Sequence, residues 1–143
     1  PLVIAAAGNE NTDRPFYPAA YDWVVAVGAL DEHMCTPKFT NYGRWVDVWA
    51  HGTKLVNAFP VGTYFVKEPG PTQGEQRDFT GLAQSSGTSF ATPVVTGSIV
   101  AYMSEHPGMT ARQAKAELFA NASRTFSDSP KVAKGIAVGP PFV

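Results

Sequence analysis

Two short apolar runs near the start of the chain constrain its fold most. They are LVIAAAG (residues 2–8) and WVVAVGAL (residues 23–30), and glycine or polar residues close each of them. Neither run alternates with polar residues, which is the pattern of strands buried on both faces of a parallel sheet. A third segment, WVDVWAHG (residues 45–52), alternates better and predicts a strand nearer the edge of that sheet.

The second half of the chain predicts two helices. Residues 89–104, SFATPVVTGSIVAYMS, are apolar on nearly all sides, as in a helix buried in a core, and Pro93 is tolerated because it falls in about the first turn. Residues 110–121 begin with Thr110 and carry Gln113 three positions later, which is a capping-box pattern and predicts an amphipathic outer helix. The apolar stripe of this second helix consists of Ala111, Ala114, Leu118 and Ala122.

Strands that alternate with helices favour an α/β fold, a three-layer sandwich around a mostly parallel sheet. Residues 55–84 interrupt the pattern, because their prolines and glycines predict an irregular hairpin or extended loop. The tail KGIAVGPPFV (residues 134–143) is too rich in glycine and proline to be helical. With 44% hydrophobic residues, the 143-residue chain suits one compact domain, or a part of one, with a packed core.

Composition excludes several classes of partner. The chain has 11 basic and 12 acidic residues without a run of either sign, so its charge predicts binding to neither nucleic acid nor an anionic membrane. No stretch approaches the ~20 apolar residues that cross a bilayer, and the first residues lack the basic region of a signal peptide. Because an apolar run directly follows Pro1 and no methionine precedes it, we expect the chain to be cut from a longer protein. The single cysteine, Cys35, cannot form an internal disulfide, which leaves the compartment open.

Two polar segments fall where α/β proteins place their sites, at the end of a strand and at the start of a helix. Asn9 follows the first strand in AAAGNE, and Ser89 opens the buried helix in SSGTS. A serine becomes a nucleophile when a base takes its proton, and the tetrahedral intermediate then needs hydrogen-bond donors. Ser89 would have free N–H groups of the helix nearby, and Asn9 could add a side-chain amide. Taken alone, each has a simpler and commoner interpretation, Ser89 as an N-cap and Asn9 as a turn residue.

Four segments together favour the chemical interpretation. In unbroken order, VIAAAGNE, YPAAYDWVVAVGALD, FTNYGRWVDVWAHG and SSGTSFATPVVTG resemble the carboxyl-terminal half of the catalytic domain of subtilisin-like serine endopeptidases, the subtilase family. The family pattern Gly-Thr-Ser-x-Ala-x-Pro carries the nucleophile, which falls on Ser89. The pattern Ala-Ala-Gly-Asn carries the oxyanion amide, which falls on Asn9. The resemblance covers the chain outside residues 55–84 and implies a polypeptide substrate and secretion.

The resemblance also indicates what this sequence lacks. The family orders its catalytic triad Asp, His, Ser, and only eight residues precede Asn9, none of them acidic or histidine. We therefore expect the base and its aspartate on an upstream segment, which would be a partner of this chain, and we expect the chain alone to be inactive.

The histidines present are weaker candidates for the base. His51, in AHGTKLV, is superficially similar to the family's base segment, but relatives carry Ala-Pro-Gly there, so we interpret it as a loop residue. His33 and His106 are interpreted as surface residues. A triad of His33, Asp47 and Ser89 is formally possible from the spacing, although no surrounding sequence supports it.

The resemblance implies a substrate pocket as well. Its wall falls on Ala6, Ala7 and Gly8, where small residues leave room for the side chain before the scissile bond. Phe16 aligns with a position near the pocket floor that is often small, which predicts a shallow pocket. The alternative is that Phe16 points into the core.

Metals and cofactors are not expected. The loop around Ala19 and Tyr21, with Asp47, resembles a weak cation site of some family members, but calcium prefers six to eight oxygen ligands and one carboxylate is too few for firm binding. The three histidines and one cysteine lack the ligand spacing of a zinc site.

Two alternatives to a protease stay open. The first is a non-catalytic subtilase-fold module used for binding or scaffolding, against which the presence of both Ser89 and Asn9 argues. The second is an unrelated α/β domain that binds an anion at the Ser89 helix, although the chain has no Gly-x-x-x-x-Gly-Lys loop. If the first strand belongs in mid-sheet, its open edge would also predict self-association of the isolated chain.

Overall fold

A computed structural model describes residues 1–67 and 74–122. They divide into two compact units, the site unit (Pro1–Thr53 with the chain from Ser86 onward) and the hairpin unit (Lys54–Ser85). The predicted non-helical tail at residues 134–143 lies outside the described residues. The strands and helices in chain order are β1 (Val3–Ala6), β2 (Val24–Leu30), β3 (Val48–His51), β4 (Leu55–Ala58), β5 (Gly62–Val66), β6 (Glu75–Phe79), β7 (Leu82–Ser85), α1 (Thr88–Glu105) and α2 (Ala111–Ala120).

The site unit contains a three-stranded parallel sheet in the order β1-β2-β3. The central strand β2 is buried over all seven of its residues, as its unbroken apolar sequence predicts. The predicted strands at residues 2–8 and 23–30 are both present, but the predicted burial is confirmed for β2 alone. β1 has β2 as its only partner among the described strands, and none of its four residues is buried. The third strand lies at the other edge of the described sheet. It begins at Val48, three residues later than the segment predicted from the sequence.

Helix α1 packs on one face of the sheet. Val25, Val27 and Ala29 of β2 meet Val95 and Ile99 of α1 in the main core. Helix α2 packs against α1, so the order of layers on this face is sheet, α1, α2. The predicted stripe of α2 is confirmed, since Ala114 is buried and Ala111, Leu118 and Ala122 pack against the same core.

The start of α2 has the predicted cap. The backbone N–H of Gln113 donates to Thr110 Oγ1 at 3.3 Å, and the Gln113 side-chain oxygen accepts from the N–H of Thr110 at 2.9 Å. Two of the N–H groups that a helix leaves unpaired at its start are thereby satisfied. The capping box read from the sequence is confirmed.

The second face of the sheet is covered by side chains rather than by a helix of the described chain. Trp49 of β3 lies over Gly28 of β2, so closely that a Cβ at Gly28 would collide with its indole ring. Ala7, Leu30, Val46 and Trp49 form the core cluster of this face. The α/β fold is confirmed, with a parallel sheet that separates two apolar clusters.

Helix α1 departs from its prediction in two respects. It is not covered on nearly all sides: within the site unit the sheet and α2 pack against it, and Val100, for example, is 56% exposed. Pro93 is its sixth residue and so lies in the second turn, where it leaves the carbonyl of Ser89 without the usual i+4 donor. Although α1 has 18 residues, no helix in the described ranges is long and apolar enough to cross a membrane.

The hairpin unit consists of two antiparallel strand pairs. β4 pairs with β7, from Leu55 opposite Ser85 to Ala58 opposite Leu82. β5 pairs with β6, and the rings of Phe59, Tyr64 and Phe79 form a cluster with centroids 4.5–6.0 Å apart. No described residue of this unit is buried. The segment predicted as an irregular hairpin or loop is thus more regular than its sequence suggested.

Candidate active site

The two predicted catalytic residues meet at one end of the site unit. Asn9 lies in the loop that follows β1, and Ser89 is the second residue of α1. The backbone N–H of Gly8 donates to Thr88 Oγ1 at 3.1 Å, a bond between residues 80 positions apart in the sequence. The end of a parallel strand and the start of a helix are thereby joined, which is where α/β folds form their sites.

Thr88 fixes the side chain of Asn9. The backbone N–H of Thr88 donates to Asn9 Oδ1 at 2.9 Å, and the Thr88 hydroxyl donates to the same oxygen at 3.1 Å. A backbone N–H can only donate, so the amide of Asn9 must present its oxygen to Thr88. Its Nδ2 group therefore faces away from Thr88, and it has no acceptor among the described residues.

Ser89 is exposed, and its hydroxyl has no hydrogen-bond partner in the described part of the chain. The first N–H groups of α1 are otherwise used: that of Thr88 goes to Asn9, and those of Phe90 and Ala91 go to the carbonyl of Gly87. The N–H of Ser89 itself has no acceptor among the described residues. Two free donors, Ser89 N–H and Asn9 Nδ2, thus lie at the first turn of α1 with a free hydroxyl, the arrangement needed to hold a developing oxyanion.

Gly87 allows the close approach of Asn9 to the helix. It is the N-cap of α1, and its N–H donates to the carbonyl of Gly52 at 2.8 Å. A Cβ at Gly87 would lie 3.4 Å from Asn9 Nδ2. A larger residue would therefore crowd the amide that Thr88 holds.

Asn41 holds the loop that carries Asn9. It is completely buried, and its Nδ2 group donates to the carbonyl of Ala7 at 2.9 Å and to the carboxylate of Glu10 at 2.7 Å. Its Oδ1 accepts from the N–H groups of Glu10 (2.9 Å) and Thr12 (3.2 Å), and its backbone N–H donates to the carbonyl of Gly8 at 3.0 Å. The turn at Asn9 is thus attached to a buried side chain on both sides.

Two residues that support the site, Thr88 and Asn41, were not predicted from the sequence. Thr88 lies within the Gly-Thr-Ser pattern but was not given a role of its own, and Asn41 lies in the FTNYG segment between β2 and β3. The available signal was the position of Asn41, a polar residue close to an apolar strand on either side. A buried polar residue of this kind needs partners, although sequence alone does not say which.

None of the three histidines hydrogen-bonds Ser89 within the described residues. His51 is the last residue of β3 and not a loop residue, which corrects our interpretation; its Nε2 lies 3.5 Å from Thr53 Oγ1. It joins the strand because its backbone pairs with Leu30 of β2. His33 lies in an exposed turn, and His106 is exposed at the end of α1, as expected of surface residues.

The triad that spacing alone allowed is not assembled. Asp47 uses Oδ2 to accept the backbone N–H of Ala26 at 2.8 Å, and it contacts neither His33 nor Ser89 in the recorded hydrogen bonds of the described chain. Asp47 thus joins β2 to the segment before β3. The described residues thus bring the candidate nucleophile Ser89 together with the candidate oxyanion donor Asn9, and no described histidine hydrogen-bonds either of them.

The residues implied for the substrate pocket have different environments. Ala6 ends β1 and is partly exposed, whereas Gly8 is buried and the side chain of Ala7 packs in the Trp49 cluster. Phe16 is 43% exposed, so the alternative in which it points into the core is wrong.

The loop predicted as a weak cation site, around Ala19 and Tyr21 with Asp47, borders a cavity of about 190 Å³. The cavity is lined by Ala20, Tyr21, Asp22, Val24, Arg44, Trp45 and Asp47. Arg44 brings a permanent positive charge to the two carboxylates, and one oxygen of Asp47 already accepts a backbone N–H. These residues fit a hard divalent cation poorly, and the described chain contains no cluster of three or more His, Cys, Asp or Glu residues that could hold a metal.

Comparisons with known proteins agree on one family. The model of the subtilase family matches residues 1–137. The chain is 38% identical to a thermophilic serine proteinase of Bacillus sp. (strain AK1) over 67% of its own length and 20% of that protein. It is 32% identical to subtilisin DY of Bacillus licheniformis over 94% of its own length and 44% of that protein. A cold-adapted subtilisin-like serine proteinase of known structure is 28% identical, with a TM-score of 0.68 over 92% of this chain and 42% of that one.

Proposed function

Because this chain belongs to the subtilase family, we propose that it is the part of a serine endopeptidase domain that carries the nucleophile, Ser89, and an oxyanion donor, Asn9. The observation that carries the proposal is the amide of Asn9, which Thr88 holds by its oxygen so that Nδ2 is free at the helix turn where the hydroxyl of Ser89 is exposed. The chain spans less than half the length of the relatives it matches, which leaves room for the triad histidine and aspartate on an upstream segment.

In the proposed reaction the upstream histidine takes the proton of Ser89 Oγ as that oxygen attacks the carbonyl carbon of a peptide bond. The carbonyl oxygen becomes an oxyanion and accepts hydrogen bonds from Asn9 Nδ2 and from Ser89 N–H. The histidine then gives its proton to the leaving amine, which departs and leaves an acyl group on Ser89. Water then attacks the carbonyl carbon of this ester as the histidine takes a proton from it. The bond from that carbon to Ser89 Oγ breaks, the histidine returns the proton to Oγ, and the acid product is released.

The donors lower the barrier because they are held before charge develops. Two bonds from Thr88 orient the Asn9 amide, and α1 holds the N–H of Ser89, so neither group needs to reorganise in the transition state. Loss of one such side-chain donor lowers kcat by about 10²–10³-fold, a magnitude known for subtilisin, a relative of this chain. No metal or cofactor takes part in the proposed reaction.

The substrate in this proposal is an extended polypeptide with a small residue before the scissile bond. In this proposal Ala6 and the backbone of Gly8 form the wall of the pocket, and Phe16 reduces its depth. Ala7 contributes backbone only, because its side chain is buried in the Trp49 cluster. The exposure of Phe16 supports this placement, since the ring is not used to fill the core. Secretion of the parent protein is proposed from the family resemblance alone.

The upstream segment is also the proposed partner of β1. Among the described strands β1 pairs only with β2, and Val3 is 38% exposed, so one edge of β1 is left for a further strand. In the absence of that segment, we expect the isolated chain to self-associate through this edge.

The test is labelling with a fluorophosphonate probe, which reacts with activated serines. We expect no labelling of the 143-residue chain, labelling of a protein extended upstream to include the histidine and aspartate, and loss of labelling on Ser89→Ala. Ser104→Ala is the matched control, because Ser104 is an exposed serine of the same helix that bonds only the carbonyl of Val100. If the extended protein is folded and unlabelled, the proposal fails and the non-catalytic module is favoured.

A further inference from the structure

All hydrogen bonds of the Asn41 side chain are made to one loop, the segment around Asn9. An amide side chain has two N–H donors and an oxygen with two lone pairs, and Asn41 uses all four. The partners are Ala7 O, Glu10 Oε2, Glu10 N and Thr12 N. Each belongs to the short segment around Asn9, and Asn41 itself has no exposed surface.

These bonds hold the segment on both sides of Asn9. Before it, the carbonyls of Ala7 and Gly8 accept from the side chain and the backbone of Asn41; after it, the N–H groups of Glu10 and Thr12 donate to Asn41. Asn41 therefore sets where the backbone of Asn9 lies. Thr88 sets a different quantity, the direction in which the amide of Asn9 points.

The loop needs such an anchor because its backbone is unusual. Gly8 has a φ of 100° and Asn11 a φ of 54°, both in the left-handed region that most residues avoid. A Cβ at Gly8 would collide with the side chains of Asn41 and Glu10, so loop and anchor are packed against each other. Glycine and asparagine adopt positive φ more readily than other residues, so Asn41 selects one conformation of a loop that has others available.

We infer that Asn41 is a positioning residue for catalysis: it holds the segment from Ala7 to Thr12 so that Asn9 Nδ2 is at the place where the oxyanion forms. Its catalytic consequence rests on the proposed function, whereas its effect on Asn9 does not. A shift of about 1 Å in a catalytic group costs on the order of 100-fold in rate. Loss of Asn41 should therefore reduce kcat, with a smaller effect on KM from any movement of Ala7 and Gly8 in the proposed pocket wall.

Thr40 provides a matched control. It precedes Asn41 and is equally buried, but its hydroxyl accepts the N–H of Ala29 in β2 and donates to the carbonyl of Asn41, without contact to the Asn9 loop in the described hydrogen bonds. Thr40→Val removes buried hydrogen bonds from the same segment. It thus reports the cost of weakening the fold beside Asn41 while the four side-chain bonds of Asn41 to the Asn9 loop are kept.

The first measurement uses the protein extended upstream, in which β1 has its proposed partner, and does not depend on catalysis. The side-chain amide resonances of Asn9 are recorded by NMR in wild type, Asn41→Ala and Thr40→Val. We expect them to shift and broaden in Asn41→Ala and to stay at their wild-type positions in Thr40→Val. Unchanged Asn9 resonances in Asn41→Ala overturn the inference whether or not the parent protein is a protease.

The second measurement uses the protein extended upstream. We expect Asn41→Ala to lower kcat by about 10- to 100-fold, with a smaller rise in KM because Ala7 and Gly8 of the proposed pocket wall are also bonded to Asn41. In an Asn9→Ala background the same substitution should lower kcat by less than about threefold, because the donor it positions is gone. An equal loss in both backgrounds, or an equal loss in Thr40→Val, overturns the inference. Inactive wild type with the expected NMR result contradicts the proposed function and leaves the positioning of Asn9 established.

If Asn41→Ala does not fold, the inference is tested with two other substitutions. Asn41→Asp keeps the acceptors for Glu10 N and Thr12 N and loses the two donors, and Glu10→Gln avoids two adjacent carboxylates. Asn9 resonances that are shifted in the double variant relative to Glu10→Gln alone support the inference. Identical resonances overturn it.

Discussion

The site unit and the hairpin unit are stabilised in different ways. In the site unit, buried polar groups bond partners far away in the sequence, as Gly8 does with Thr88 and Asn41 with the Asn9 loop. In the hairpin unit, strands pair with each other and no described residue is buried. The site unit therefore fixes one geometry for a few atoms, whereas the hairpin unit has the features of a segment that opens locally at low cost.

This difference matters for function because catalytic groups need fixed positions. The two free donors of the site unit are held by α1 and by Thr88. In the hairpin unit, aromatic residues such as Phe65 are exposed, and the side-chain bonds of Thr63 to Asp78 and of Arg77 to Glu75 join exposed residues. We therefore expect substitutions in the two units to separate by the size and the kind of their effects.

The largest expected difference concerns stability. Ile99 is 3% exposed in the core of the site unit, and Phe65 is 68% exposed in the hairpin unit. Ile99→Ala should lower the free energy of unfolding by about 2–5 kcal/mol, because it leaves a cavity under α1. Phe65→Ala should change it by about 0.5 kcal/mol or less. Denaturant unfolding of the 143-residue chain measures both changes. Equal losses of unfolding free energy in the two variants would contradict the difference between the units.

The next difference concerns catalysis in the protein extended upstream. Asn9→Ala should lower kcat by about 10²–10³-fold with little change in KM, because a preorganised donor is lost. Asn57→Ala is the matched control, since Asn57 is an exposed asparagine of β4. It should leave kcat within about twofold of wild type. Steady-state kinetics with a peptide substrate measure kcat for both variants. A large loss of kcat in Asn57→Ala would mean that the hairpin unit has a role in catalysis.

The smallest difference concerns substrate preference. Phe16→Ala should raise kcat/KM for peptides with Phe before the scissile bond by about tenfold relative to peptides with Ala there, because the pocket becomes deeper. Phe65→Ala removes an exposed ring of the other unit and should not change this ratio. Two outcomes would contradict the shallow pocket. One is a wild-type protein that clearly prefers peptides with Phe before the scissile bond, and the other is a ratio of kcat/KM values that Phe16→Ala does not change.

The parts of the fold that depend on apolar pattern could be predicted from the sequence. The unbroken run of β2 and the Thr110–Gln113 cap of α2 each follow from local rules that the structure satisfies. The exposure of α1 could not be predicted in this way. The apolar sequence of α1 indicates which of its side chains could be buried. In the described chain only some of them are buried.

The candidate site was predictable at two residues and not at their supports. The placement of Ser89 and Asn9 follows from their positions at a helix start and a strand end, together with the family resemblance. The bonds of Thr88 and Asn41 depend on which distant segments meet, and no spacing in the sequence encodes that. His51 shows a different limit, because the local pattern of residues 45–52 predicted a strand there, as β3 and its pairing with Leu30 confirm, whereas the family resemblance suggested a loop.

The bond between Gly8 and Thr88 also has a consequence for the order of events during synthesis. Its two residues are 80 positions apart, so a ribosome completes the turn at Asn9 long before it adds the threonine that orients the amide. Contacts of such wide separation form late and slowly in folding. A nascent chain that stops short of residue 88 would carry Asn9 with an unoriented amide, and the oxyanion site would be assembled only after the start of α1 has been added.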